Sequence, residues 1–123
     1  MELYTIAMYN WRKARDLGID ILDTTAKGGI SNLAPTWGIV KAYKQSDMGT
    51  QAEITYTTAY YEQMRESYKE HKDEWMEIFS KEKIAVACYC PPGKFCHRKL
   101  LIDMLTAIAK SLGVEVTFKG EIT

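Results

Sequence analysis

The sequence predicts an α/β fold, a single small domain with a mostly parallel sheet of about four strands and helices on both faces. Short β-branched or apolar runs at 3–8, 19–23, 84–87 and 114–118 alternate with segments whose apolar residues recur every three or four positions. That alternation builds parallel sheets through right-handed crossovers. Gly18 and Gly113 follow the ends of two periodic segments, where a glycine closes a helix. The chain of 123 residues is long enough for one hydrophobic core and too short for two.

Leu3 to Met8 is rich in strand formers and reads as the first strand, with Tyr9 and Asn10 at its carboxyl end. Trp11 to Leu17 is a short helix that stops at Gly18. Ile19 to Asp23 is the second strand. Its exit, Asp23-Thr24-Thr25-Ala26-Lys27-Gly28-Gly29, joins hydroxyls, a lysine and a glycine pair, all suited to close approach by an anion. Pro35 is placed in the first turn of a helix running to about Lys44, with Trp37, Val40 and Tyr43 or Lys44 on one face. Ile54 to Thr58 reads as an extended lead-in, with an edge strand as the alternative. Tyr60, Met64, Tyr68, His71, Trp75 and Phe79 then mark one long helix from Ala59 to about Lys81. Lys83 to Cys88 is the central strand, a helix runs on to Leu112, and Val114 to Phe118 is the last strand. No repeat, low-complexity segment or linker divides the chain.

Sixteen basic residues balance sixteen acidic ones, which argues against a protein that coats extended nucleic acid or an anionic membrane. Cys88, Cys90 and Cys96 cannot all pair, and their clustering is unlike a secreted disulfide framework, so a reducing setting is expected. The first residues lack a charged and then apolar leader, and no run of ~18 apolar residues occurs. The expectation is a cytoplasmic protein without a membrane partner, for which assembly into a homo-oligomer stays open.

The stretch Cys88-Tyr-Cys-Pro-Pro-Gly-Lys-Phe-Cys-His-Arg98 lies between the central strand and its helix. In a parallel sheet this loop opens at the carboxyl edge, where ligands bind and the following helix directs its free N–H groups. Tyr9, Asn10, Asp23, Thr24, Thr25, Lys27, Cys88, Lys94, His97 and Arg98 are the expected ligand-binding residues, converging from the first three strand exits. Three chemistries fit the loop. An anionic, nucleotide-like small molecule would be gripped by the helix start and by the fork of Arg98. The loop is not a P-loop, because Gly93-Lys94 lacks the earlier glycine and the following Ser or Thr. Zinc is disfavoured, since C-x-C-x5-C-H is not a common zinc spacing and adjacent Cys96 and His97 would strain to reach one ion; no metal and no cofactor are expected. Thiol or acid–base catalysis would draw on Cys96, Cys90, His97 and Asp23, although no cysteine has the Cys-x5-Arg spacing of phosphatases and no C-x-x-C pair is present.

The same stretch resembles the signature of the DUF488 family, in which a strand ends in Cys-x-Glu and Cys-His-Arg follows a few residues later. On that match Cys88, Cys96, His97 and Arg98 take the motif positions, and Cys90 replaces the family's glutamate. Leu3 to Tyr9 is similar to the family's opening strand, and Asp23 sits like the aspartate of its Val-Asp-Val-Arg segment, without the arginine. The resemblance implies a compact α/β domain. Short stand-alone versions look like proteins carried by bacteriophages and prophages, which implies interference with host nucleotide signalling. The expected function is binding of a nucleotide-like or other phosphate-bearing ligand at the carboxyl ends of the strands; the alternative is a thiol- or acid/base-dependent hydrolase or transferase acting on such a ligand.

Overall fold

A computed structural model describes residues 1–26, 28–90 and 94–123. In chain order it runs β1 (Glu2–Ala7), α1 (Trp11–Asp16), β2 (Asp20–Asp23), α2 (Trp37–Lys44), α3 (Thr50–Glu70), α4 (Lys72–Phe79), β3 (Lys83–Cys88), α5 (His97–Ser111) and β4 (Thr117–Ile122), with a 3-10 turn at Met8–Asn10. The strands form one sheet in the order β2-β3-β1-β4, and every neighbouring pair is parallel.

From β1 the chain crosses through α1 to the edge strand β2. It then moves back across the sheet through α2, α3 and α4 to β3, and through α5 to β4. Crossovers of one hand that move in opposite directions lie on opposite faces. Strand periodicity sorts the core accordingly. Leu3, Leu22, Ile84 and Val86 face Tyr56, Tyr60, Met64, Trp75, Leu101, Ile102 and Leu105, from α3, α4 and α5. Ile6, Ala85 and Ala87 face the other way, toward Ala14 of α1. Because β3 is covered on both faces, Ile84 to Cys88 is an unbroken buried run. Each large apolar side chain so buried contributes about 1.5–3 kcal/mol relative to exposure.

The structure departs from the sequence expectation at four places. Pro35 lies outside α2, whose N-cap is Thr36, with its side chain accepting from Ile39 N–H. Residues 54–58 are helical and belong to α3. Their hydroxyls do not compete for an extended backbone: Thr55 and Thr57 donate to the carbonyls of Gln51 and Glu53, one turn back. The long helix is broken at His71, whose backbone leaves the helical region (φ −129°, ψ 42°). The break sets buried Trp75 over α3, where its indole N–H donates to Ser67. The last strand is Thr117–Ile122, not Val114 to Phe118. Gly120, at φ +106°, marks the register shift that lets β4 continue beside β1 instead of ending there. Among the described residues no helix is long and apolar enough to cross a membrane.

Candidate functional site

The exits of β2 and β3 and the facing sides of α2 and α3 enclose a cleft of about 500 Å³. Its floor is Cys88, Cys90, Cys96 and His97; its walls are Trp37, Val40, Tyr43, Met48, Tyr56, Tyr89 and Phe95; Thr25 and Ala26 close one side, and Lys44 and Lys94 bring two cations. Phe95 packs against Tyr43 and Tyr56, with ring centroids 5.1 and 5.2 Å away, and the two tyrosines meet edge to face at 5.7 Å. Lys44 Nζ lies 5.6 Å from the Trp37 ring. Burial holds the Tyr56 and Tyr60 phenols well above their usual range, so both stay neutral.

At the floor, Cys88 is the last residue of β3, Cys96 is the N-cap of α5 and His97 is the first residue of that helix. Cys88 Sγ and Cys96 Sγ are 3.1 Å apart, and Cys96 Sγ is 3.5 Å from His97 Nδ1. Thr24 sits behind the imidazole, fully buried: its hydroxyl donates to the Ala87 carbonyl at 2.9 Å and lies 2.8 Å from His97 Nε2. A hydroxyl has one proton, so the ring nitrogen Nε2 carries the other and donates, leaving the Nδ1 lone pair turned toward the sulfurs. Burial lowers the His97 pKa to about 4, which keeps the ring neutral. Tyr60 packs across its edge, with ring centroids 5.6 Å apart.

The three thiols differ. Cys88 is pushed up, first by its hydrogen bond with Cys90, then by that with Cys96 and by burial. Cys90 is pulled down by the hydrogen bonds it receives from Cys88 and Cys96. Cys96 is lowered by its bond to Cys88, but donation to Cys90 and burial outweigh that and raise it to about 11.

The structure brings together part of the expected site. Thr25, Cys88, Lys94 and His97 line the cleft, with Cys90 and Cys96 beside them. Thr24 acts from behind, through His97. Asp23 ties down the loop, its Oδ1 accepting from the Thr25 N–H and hydroxyl. Tyr9 and Asn10 do not line the cleft, because β1 turns through the 3-10 segment into α1 on the other face of the sheet. Lys27 lies outside the described residues. Arg98 does not line the cleft either: it is buried, with Nη1 3.5 Å from Glu121, in an adjoining groove with Thr5 and Lys99, and Lys94, Phe95 and Cys96 line both. Cys96 and His97 come together because the backbone is extended at Cys96 (φ −161°, ψ 156°) and helical at His97, so the chain turns between them; with Cys88 they offer three ligand atoms within 4.8 Å of one another. Tyr56 is among the tyrosines that the sequence reads as core, with stacking on a ring as the lesser alternative, and nothing in the sequence marks Trp37, Tyr43 or Phe95 as ligand contacts until the topology shows that they line a cleft.

A family model described as DUF488-N3a, Active DUF488-N3 subclade, matches residues 11–109. No curated protein and no solved structure matches the chain.

Proposed function

The chain belongs to the DUF488 family, and we propose that this member binds a nucleotide-like small molecule, a planar ring carrying an anionic group, in the cleft between α2, α3 and the β3 exit. The observation that carries the reading is the lining of that cleft, in which five aromatic side chains and two lysines surround a space of about 500 Å³. That size falls within the usual range of small-molecule sites. Trp37, Tyr43, Tyr56 and Phe95 offer ring faces and edges, which favour a flat aromatic ligand over a flexible aliphatic one. Lys44 and Lys94 supply the positive charge for a phosphate, and the positive end of the α5 dipole, which begins at His97 beside them, adds to it. Interference with host nucleotide signalling by a phage-borne protein would use the same binding step and belongs to this proposal.

A thermal-shift comparison of nucleosides, mononucleotides and cyclic dinucleotides tests the reading. Phosphorylated ligands should stabilise the wild-type protein more than their nucleosides, and Trp37→Ala and Lys94→Ala should each reduce the shift. No stabilisation across the panel, or equal shifts in wild type and both variants, would remove the cleft from consideration.

A second reading, a thiol-dependent hydrolase or transferase acting on the same ligand, is favoured by one observation: Cys90 is half-buried and lines the cleft beside the aromatic walls. Turnover of a bound nucleotide by wild type and not by Cys90→Ser, followed by liquid chromatography, would establish it.

A further inference from the structure

Cys88 Sγ, Cys96 Sγ and His97 Nδ1 all lie within 4.8 Å of one another, although they come from two elements and are separated by a loop. We propose that Cys88, Cys96 and His97 form a binding site for a soft divalent cation, zinc above all, at the floor of the cleft.

The geometry is close to what zinc requires. With Zn–S of about 2.3 Å and Zn–N of about 2.0–2.1 Å, tetrahedral ligands stand about 3.8 Å apart for two sulfurs and about 3.6 Å apart for sulfur and nitrogen. Here the sulfur–nitrogen separation is 3.5 Å and the sulfur–sulfur separation 3.1 Å. The two sulfurs must part by less than 1 Å, the Cys96–His97 pair already fits, and Cys88 and His97 offer ligand atoms within 4.8 Å of each other. The donor set is two thiols and one imidazole, which selects zinc over magnesium or calcium.

The second observation is the orientation of the imidazole. Metal-bound histidine commonly donates its other ring N–H to a fixed acceptor, which sets the tautomer and aims the lone pair. Thr24 serves as that acceptor, and is itself committed to the Ala87 carbonyl one residue before Cys88. The bonds that hold His97 thus belong to the same strand end that carries a sulfur ligand. Binding replaces two S–H protons by one dication, so the Cys2His site becomes neutral and releases two protons. Cys90 lines the same cleft as the three ligands. The proposal does not rest on a nucleotide ligand.

The test uses the full chain, stripped with a chelator under reducing conditions and titrated first with Co²⁺ alone and then with Zn²⁺ alone. One equivalent of Co²⁺ per chain should give intense tetrahedral d–d absorption with thiolate-to-cobalt charge transfer, displaced by Zn²⁺. Cys88→Ser and Cys96→Ser should abolish the charge-transfer signature. Because those variants could unfold, Thr24→Val provides an independent arm: it keeps all three ligands and should weaken Co²⁺ binding about tenfold or more by freeing the ring. A pale six-coordinate spectrum, saturation away from one equivalent, or Co²⁺ affinity unchanged in Thr24→Val would overturn the assignment.

Discussion

Thr24 Oγ1 stands 2.8 Å from His97 Nε2 and spends its only proton on the Ala87 carbonyl, so the threonine sets which ring nitrogen of the histidine carries hydrogen. Thr24→Val removes the acceptor at nearly constant volume. The Ala87 carbonyl keeps the Thr24 backbone N–H at 2.8 Å, so the group left without a partner is the buried His97 Nε2–H. Its loss should cost about 1–3 kcal/mol, measured by urea denaturation, and Thr24→Ser should restore most of it. Equal midpoints for Thr24→Val and wild type would show that the contact holds nothing in place.

Arg98 is expected to matter for stability more than for ligand binding. It joins the first turn of α5 to Glu121 near the end of β4, and Thr5 of β1 donates to the other oxygen of the same carboxylate at 2.6 Å. Arg98→Ala leaves that carboxylate without its guanidinium and should destabilise the fold by about 3 kcal/mol, the low end for a broken buried pair because Glu121 is partly exposed. Nucleotide affinity should change little. Unaltered stability with lost binding would mean that Arg98 works as a ligand clamp after all.

Gly29 is the closest point of the loop that follows β2. A Cβ there would come within 2.7 Å of the carbonyl oxygens of Asp23 and Thr25, and nearer still to Thr25 N. Gly29 N–H donates to Thr25 O and Ile30 N–H to Asp23 O, so the loop cannot open without losing these bonds. Gly29→Ala should therefore cost about 1–3 kcal/mol as an overpacked site, and should displace Thr25 and Ala26 at the side of the cleft. Thermal denaturation together with nucleotide titration checks both; a variant as stable as wild type would show that the loop yields freely.

Much of this architecture was legible in the sequence, because parallel strands buried on both faces and helices closed by glycine announce themselves. Ile84 to Cys88 and the helix ending before Gly113 are such cases. The failures have a common physical origin in tertiary contacts. Thr55 and Thr57 favour strand locally, yet they satisfy their hydroxyls inside α3. The last strand reads as ending at Phe118, whereas it continues past the register shift beside Gly120 to Glu121, the carboxylate that pairs with Arg98. The site itself was half visible. Cys88, Cys96 and His97 stood out by chemistry, whereas Tyr43 and Tyr56 become cleft walls only once α2 and α3 are packed together over the β3 exit.

The most direct measurement of the central claim is chemical-shift mapping of isotope-labelled protein saturated with the nucleotide that stabilises it best. Large shifts are expected at Trp37, Tyr43, Lys44 and Tyr56, which line the cleft and not the Arg98–Glu121 groove, with little change at Tyr9, Asn10 and Glu121. Shifts confined to the Arg98–Glu121 groove or to the β1 exit, with the aromatic walls undisturbed, would contradict it.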